Sequence, residues 1–138
     1  MLELAEVKKS DVVFDLGSGD GRIVITAAQT YCCRAIGYEL DKELVATSRA
    51  KADAAGVKSM ATFELKDLFT ADLREADVIA LYLLLPQLKT LNPGVRIVSH
   101  QFVIPNFPPD KTVKLRSSDD GNQHTISLWT TPLKGQKP

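Results

Sequence analysis

The sequence has no surplus of either charge: 17 Lys plus Arg stand against 17 Asp plus Glu. That balance removes the whole-chain basic footprint of a nucleic-acid binder, so no nucleic-acid partner is expected beyond a local patch. No apolar run approaches the ~20 residues that a membrane span needs. The start of the chain, Met1-Leu2-Glu3-Leu4-Ala5-Glu6, is acidic and lacks the basic and apolar regions of a signal peptide. Cysteine is scarce: the two present, Cys32 and Cys33, are adjacent, and sequence neighbours almost never make a framework disulfide. A reduced, cytoplasmic protein is the expectation. With no third cysteine or paired histidine near them, Cys32 and Cys33 do not predict a metal site. What is present is ordinary for a globular protein: 44% hydrophobic and 25% charged residues in 138, enough for one core. Residues 1–138 therefore read as a single domain, without internal repeats.

Short apolar runs alternate with helical or polar segments. Asp11–Leu16 reads as a buried strand running into Gly17. Arg22–Thr30 contains Ile23, Val24 and Ile25, which suit a strand by propensity. A helix is nevertheless predicted, because a glycine loop precedes it and the next parallel strand needs a crossover. Arg34–Glu39 is the second strand. Asp41 caps a helix running to about Ala55, and Gly56 stops it. Met60–Leu65 alternates like a half-wet edge strand, whereas Val78–Leu84 is continuously apolar like a central one. Asn92-Pro93-Gly94 is a turn before a strand over Val95–Phe102. Pro105–Pro109 is a loop, and Thr112–Arg116 with His124–Thr130 form a hairpin. The sum is an α/β, Rossmann-like, doubly wound and mostly parallel sheet with helices on both faces and a C-terminal antiparallel hairpin.

The chemistry concentrates in Asp15-Leu16-Gly17-Ser18-Gly19-Asp20-Gly21. Glycines between a strand and a helix tolerate positive φ and let a ligand approach backbone. Dinucleotide folds place a pyrophosphate there, on G-x-G-x-x-G. Here two carboxylates, Asp15 and Asp20, flank the glycines; they would repel a pyrophosphate but suit a ligand bearing an ammonium and a sulfonium. S-adenosylmethionine carries both. Glu39 ends the second strand about twenty residues past the loop, where an acid takes both ribose hydroxyls. Asp67, just past the third strand, is placed to meet an adenine amino group while Leu68 offers backbone. All three acids lie at the carboxyl ends of parallel strands, the rim where open α/β sheets bind ligands.

The run Asp15–Ile25 followed by Gly37-Tyr38-Glu39-Leu40 resembles the small class I protein-lysine methyltransferases of archaea and mitochondria. Tyr82-Leu83-Leu84-Leu85-Pro86 and Ser99-His100-Gln101-Phe102 resemble segments of their bacterial relatives. The resemblance spans nearly the whole chain. It implies that Asp15, Gly17, Gly19, Glu39 and Asp67 bind S-adenosylmethionine and that Tyr82 lies near the transferred methyl; Ser18, Asp20, Gly21, Leu40 and Leu68, their neighbours in the loop and at the strand ends, are the remaining candidate cofactor residues. Two departures stand out. Only Gln87–Leu91 remains where the family carries a longer helical stretch, and 102–111 is too short and proline-rich for a crossover helix.

Methyl transfer is an in-line displacement that needs alignment more than acid–base machinery. An amine acceptor must arrive neutral, and an apolar mouth favours that by desolvation. Tyr82 either accepts a hydrogen bond from the amine or closes the core with its hydroxyl at the rim. His100, at the end of the next strand, either serves as base, shapes the mouth, or is a hydrogen-bonded structural residue. His124 and Trp129 read as fold residues. No Asp-Pro-Pro-Tyr-type tetrad follows the fourth strand, which disfavours base- and amide-nitrogen acceptors, and no acidic cluster suggests a metal-dependent O-methyltransferase. Three functions stay open: methylation of a protein lysine, which leads; methylation of a small molecule; and cofactor binding without transfer. A monomer or weak dimer is expected.

Overall fold

Strand β1 (Val12–Leu16) turns sharply into helix α1 (Arg22–Tyr31) through Gly17, Gly19 and Gly21, at φ 86°, 56° and 83°. That turn decides the fate of Ile23, Val24 and Ile25. Their strand propensity yields to a helix that buries Val24, Ala27 and Ala28 against the sheet, as tertiary packing commonly overrides a preference of tenths of a kcal/mol. Helix α2 (Lys42–Ala54) follows β2 (Arg34–Glu39). Asp41 caps it, its side chain accepting from the backbone N–H groups of Glu43 and Leu44, and Gly56 at φ 74° ends it. The remaining strands are β3 (Ala61–Leu65), β4 (Val78–Leu81), β5 (Arg96–His100), β6 (Lys111–Arg116) and β7 (Gln123–Thr130). The computed structural model describes residues 1–81, 88 and 90–133.

The seven strands run in the order β3-β2-β1-β4-β5-β7-β6. Every pairing from β3 to β5 is parallel; β7 is antiparallel to both β5 and β6. The chain winds outward from β1 to β3, then restarts on the other side at β4, so the order reverses between β1 and β4. That reversal opens a crevice at the carboxyl ends of the strands. The doubly wound, mostly parallel sheet with its terminal hairpin matches the expectation.

Alternate residues of the central strands feed two cores, the period-2 signature of a sheet covered on both faces. On one face Val13, Ala35, Phe63 and Val98 meet Val24 and Ala28 of α1 and Val45 and Ala52 of α2. On the other, Phe14, Ile36, Ile79 and Ile97 pack beneath Leu68, Leu73, Leu88, Ile104 and Trp129. Here the sequence expectation needs correction. Among the described residues no α-helix covers the second face; a 3-10 turn (Leu68–Thr70) and irregular segments do so. The physical reason lies in composition, because the prolines between Phe102 and Lys111 cannot sustain a helix. Trp129 instead clamps this segment, its Nε1 donating to the Phe107 carbonyl at 2.9 Å. Strand β5 stops at His100 rather than Phe102, because Gln101 takes φ 62°. Ser99 Oγ then donates to the Phe102 carbonyl across the turn at 2.8 Å.

Candidate active site

The glycine loop hangs on the end of β2: the N–H groups of Gly17 and Ser18 both donate to the Tyr38 carbonyl, at 2.9 and 3.0 Å. Its glycines serve two different ends. A Cβ built on Gly17 or Gly19 meets nothing within 4 Å, so their positive φ demands glycine while the space beside them stays open. A Cβ on Gly21 would instead stand 2.8 Å from Phe63 Cζ, and one on Gly37 would stand 2.7 Å from Ser18 Cβ. Gly21 and Gly37 let the loop lie directly on β2 and β3. Ser48, fully buried in α2, donates from Oγ to the Gly19 carbonyl at 3.2 Å and braces the loop from behind.

A cavity of about 290 Å³ is lined by Asp15, Gly17, Ser18, Gly19, Asp20, Arg22 and Ile23. Asp15 is 1% exposed, and its Oδ1 has no hydrogen-bond partner. Desolvation, then the charges of Glu39 and Asp20, push its carboxyl up to about 7. Ser18 Oγ is likewise buried and unpartnered. Two unsatisfied polar atoms beside open space are the mark of a site awaiting a polar ligand. Asp20 behaves differently. It accepts from the Arg22 backbone N–H at 3.2 Å and lies 3.4 Å from the Arg22 guanidinium and 3.7 Å from Lys51. Slight desolvation works upward on its carboxyl, but these partners outweigh it and hold the group below its ordinary value. Of the two loop acids, Asp15 is the one left without a cation.

Glu39 ties the loop to the start of α2. Its Oε1 accepts from Gly19 N–H at 3.0 Å, and Oε2 accepts from Leu40 and Asp41 N–H at 2.7 and 3.1 Å. A carboxylate has about four lone-pair sites, so acceptor capacity remains. Leu40 itself is 63% exposed and contributes here through its backbone. Asp67 follows β3, whose Leu65 is in register with Glu39. Its Oδ1 accepts from Phe69 N–H at 2.9 Å and opens the 3-10 turn, while the adjacent Lys66 N–H donates to the Glu39 carbonyl at 3.0 Å. Leu68 is buried in the second core. The structure thus lines one cavity with Asp15, Gly17, Ser18, Gly19 and Asp20, seats the loop on β3 through Gly21, ties Gly19 to Glu39 directly, and puts Asp67 on the neighbouring strand end.

Tyr82 lies outside the described residues, as do Gln87 and Lys89 of Gln87–Leu91. His100 is described: it ends β5 and hydrogen-bonds His124 at 2.6 Å. Sequence reasoning named Gly37 only as part of a motif and passed over Ser48, both of which hold the loop in place. Glycine inside a strand was the available signal for Gly37; nothing local marks Ser48. Among the described residues no group of three or more His, Cys, Asp or Glu is arranged to hold a metal ion.

Residues 15–111 match the family model of the ANTKMT methyltransferase domain. A protein-lysine N-methyltransferase of Saccharolobus islandicus is 39% identical over 94% of this chain and 84% of its own length. The mouse adenine nucleotide translocase lysine N-methyltransferase is 33% identical over 90% of this chain, which spans 54% of that longer protein. A solved structure described as an RNA methyltransferase from Salinibacter ruber, in complex with S-adenosyl-L-homocysteine, is 44% identical. It superposes with a TM-score of 0.85 over 95% of this chain and 87% of its own. The buried Asp15 oxygen, Ser18 Oγ, the open side of Gly17 and Gly19 and the spare capacity of Glu39 fit a cofactor of that kind. The chain belongs to the ANTKMT methyltransferase domain family and is a class I S-adenosylmethionine-dependent methyltransferase.

Proposed function

We propose that this methyltransferase transfers the methyl group to the side-chain amine of a protein lysine. The similarity to the archaeal protein-lysine N-methyltransferase over 84% of that protein carries the reading, and the sequence agrees with it. No tetrad for a planar amino group follows β4, and the formal charge is zero. The chain acts as a single domain, as a monomer or weak dimer, and its unpaired Cys32 and Cys33 suit a reducing cytoplasm. No described helix is long and apolar enough to cross a membrane.

When bound, the cofactor supplies a methyl group on a sulfonium centre. The residues of the chain bind and align. Asp15 takes the cationic amino-acid end, where Ser18 and the backbone of Gly17 and Gly19 supply further polar contacts. Glu39 takes the ribose hydroxyls, and Asp67 with the Leu68 backbone takes the adenine; Gly21 closes the loop onto β3. Asp20 and Leu40 act by holding the loop and the α2 entry. Tyr82, which follows Leu81 at the end of β4, receives the amine and holds it in line. With no acid–base step at carbon, alignment is the main source of acceleration.

Incubation with methyl-labelled cofactor and a lysate tests the acceptor. Label should be protease-sensitive and should elute as methyl-lysine after hydrolysis. The described identity of the Salinibacter structure favours a second reading, an RNA acceptor; nuclease-sensitive label would install it instead. Label confined to small metabolites would establish the small-molecule reading.

A further inference from the structure

Asp15 stands between two uncharged strand neighbours, Gly37 of β2 and Ala80 of β4, both in register with it. Its side chain is almost wholly buried, yet it lines the cavity that Gly17 and Gly19 leave open. Oδ1 is buried there without a hydrogen-bond partner. The charged groups around it are of like sign or already engaged. From the end of β2 comes Glu39, whose oxygens accept from Gly19, Leu40 and Asp41 N–H. From the loop comes Asp20, and the two nearby cations, Arg22 at the start of α1 and Lys51 of α2, are both paired with it. Ser48 of α2 is a neutral hydroxyl turned to the Gly19 carbonyl, and Ser18 is likewise neutral. Segment 82–87 brings one titratable group, Tyr82, a phenol that stays neutral below about pH 10.

An ionised carboxylate in such a place has lost its water and faces two like charges, and both effects favour the protonated form. Desolvation first, then Glu39 and Asp20, push Asp15 up to about 7. A ligand ammonium entering the cavity reverses that balance, because an opposite charge close by in a desolvated site favours the carboxylate. The free chain therefore holds a proton where the loaded chain holds the ligand's cation. S-adenosylmethionine brings two cations, a sulfonium and an ammonium. Only the ammonium has N–H groups to donate, and Oδ1 is an acceptor lacking a donor. The ammonium is the match.

We propose that Asp15 exchanges a proton for the ammonium of the cofactor, so that this one carboxyl selects ligands with a cationic amino-acid end and releases a proton as they bind. The exchange rests on the placement of Asp15 at that end of the cofactor, given above, and holds whichever acceptor takes the methyl. The O–H bond of the Asp15 carboxyl breaks, its proton passes to the buffer, and the carboxylate accepts from the ammonium N–H. No covalent bond of the ligand changes. S-adenosylhomocysteine keeps the ammonium and lacks only the sulfonium charge, so it should release the same proton. Affinity for both ligands should fall as pH drops through about 7, approaching about tenfold per unit below that value.

Calorimetry of S-adenosylhomocysteine binding, run in two buffers of different ionisation enthalpy, counts the protons released. At pH 6 the wild-type chain should release about 0.9 proton per ligand, and affinity should fall about fivefold from pH 7 to pH 6. S-adenosylmethionine should behave the same way. In Asp15→Asn the release at pH 6 should drop below about 0.2 proton and the pH dependence should vanish over this range, with circular dichroism showing that the variant is folded. Wild-type release below about 0.2 proton at pH 6 overturns the exchange; if Asp15→Asn still weakens binding at pH 7, the placement of Asp15 survives that result. Release with S-adenosylmethionine but not with S-adenosylhomocysteine overturns the assignment to the ammonium. Equal affinity of wild type and Asp15→Asn at pH 7 overturns the exchange and the placement together.

Discussion

Replacing Asp15 by Asn should stabilise the cofactor-free protein, by an amount that grows between about pH 4 and about pH 7. Asp15 is buried against Glu39 and Asp20, with one oxygen unpartnered, and its carboxyl is pushed from its ordinary value of 3.8 up to about 7. Between those two values the folded chain holds a proton that the unfolded chain has lost. Stability therefore falls as pH rises from about 4 to about 7, then levels off. At about 1.4 kcal/mol per pH unit, the gap from 3.8 to about 7 corresponds to a cost on the order of 4 kcal/mol for the ionised form. Relaxation and water entry make this an upper bound, and 1–4 kcal/mol is the working range. Asn has the shape and neutrality of the protonated acid. In Asp15→Asn the cost disappears, so its midpoint temperature should exceed wild type by several degrees at pH 8 and by only about a third as much at pH 5. Thermal unfolding at both pH values, without cofactor, reads the difference, and titrating groups that do not interact with Asp15 cancel between the two proteins. Calorimetry should show the same variant binding S-adenosylmethionine more weakly, because the group that burdens the empty site is the one that meets the ligand's cation. A midpoint gap that is the same at pH 5 and pH 8 would refute the assignment of this charge to Asp15.

Three further substitutions probe the site. Glu39→Ala removes the acceptor for Gly19, Leu40 and Asp41 N–H; each such charged bond is worth about 1.5–3 kcal/mol. Cofactor affinity measured by calorimetry should fall by about 100-fold or more. Gly37→Ala places a methyl 2.7 Å from Ser18 Cβ, so the loop must lift: circular dichroism should keep its folded signature while cofactor binding weakens by more than tenfold. Asp20→Asn breaks pairs with Arg22 and Lys51 whose side chains are 82% and 51% exposed. Exposed pairs contribute about 0–1 kcal/mol, so binding isotherms should shift by less than about fivefold; a larger loss would make Asp20 a direct ligand.

The site was legible in the sequence where its parts are local, and the fold where a single residue type decides. Three glycines in five positions dictate the turn, and the turn dictates that Ile23–Ile25 is helical. Asp41 and Gly56 mark both ends of α2 because capping depends on one side chain and one φ angle. The second face of the sheet was not legible in this way. Apolar residues such as Leu68, Leu73 and Ile104 announce burial but not helix, since an irregular segment anchored by Trp129 covers a sheet as well as a helix does. The two loop acids also looked equivalent in sequence. Only the fold distinguishes Asp20, which α2 supplies with Lys51, from Asp15, which the strands enclose.

The pairing of His100 with His124 resists reading from sequence in a way that the cofactor residues do not. The cofactor residues follow consecutive strand ends, so their order along the chain repeats their order in space. His100 and His124 are 24 residues apart and meet only because β7 returns antiparallel beside β5. The turn at Gln101 brings its backbone N–H to the Thr125 carbonyl at 2.8 Å, and this fixes the register that sets the two rings against each other. A one-residue slip would send His124 to the opposite face of the sheet and leave Asp120 facing solvent. The second shared contact, Thr125 N–H donating to Gln101 Oε1 at 2.9 Å, holds that register from the side-chain direction. Gln101 therefore carries information about the β5–β7 register that neither histidine does. Its unusual φ and its two bonds to Thr125 are the structural cause of a pairing that no spacing rule within β5 or β7 would predict.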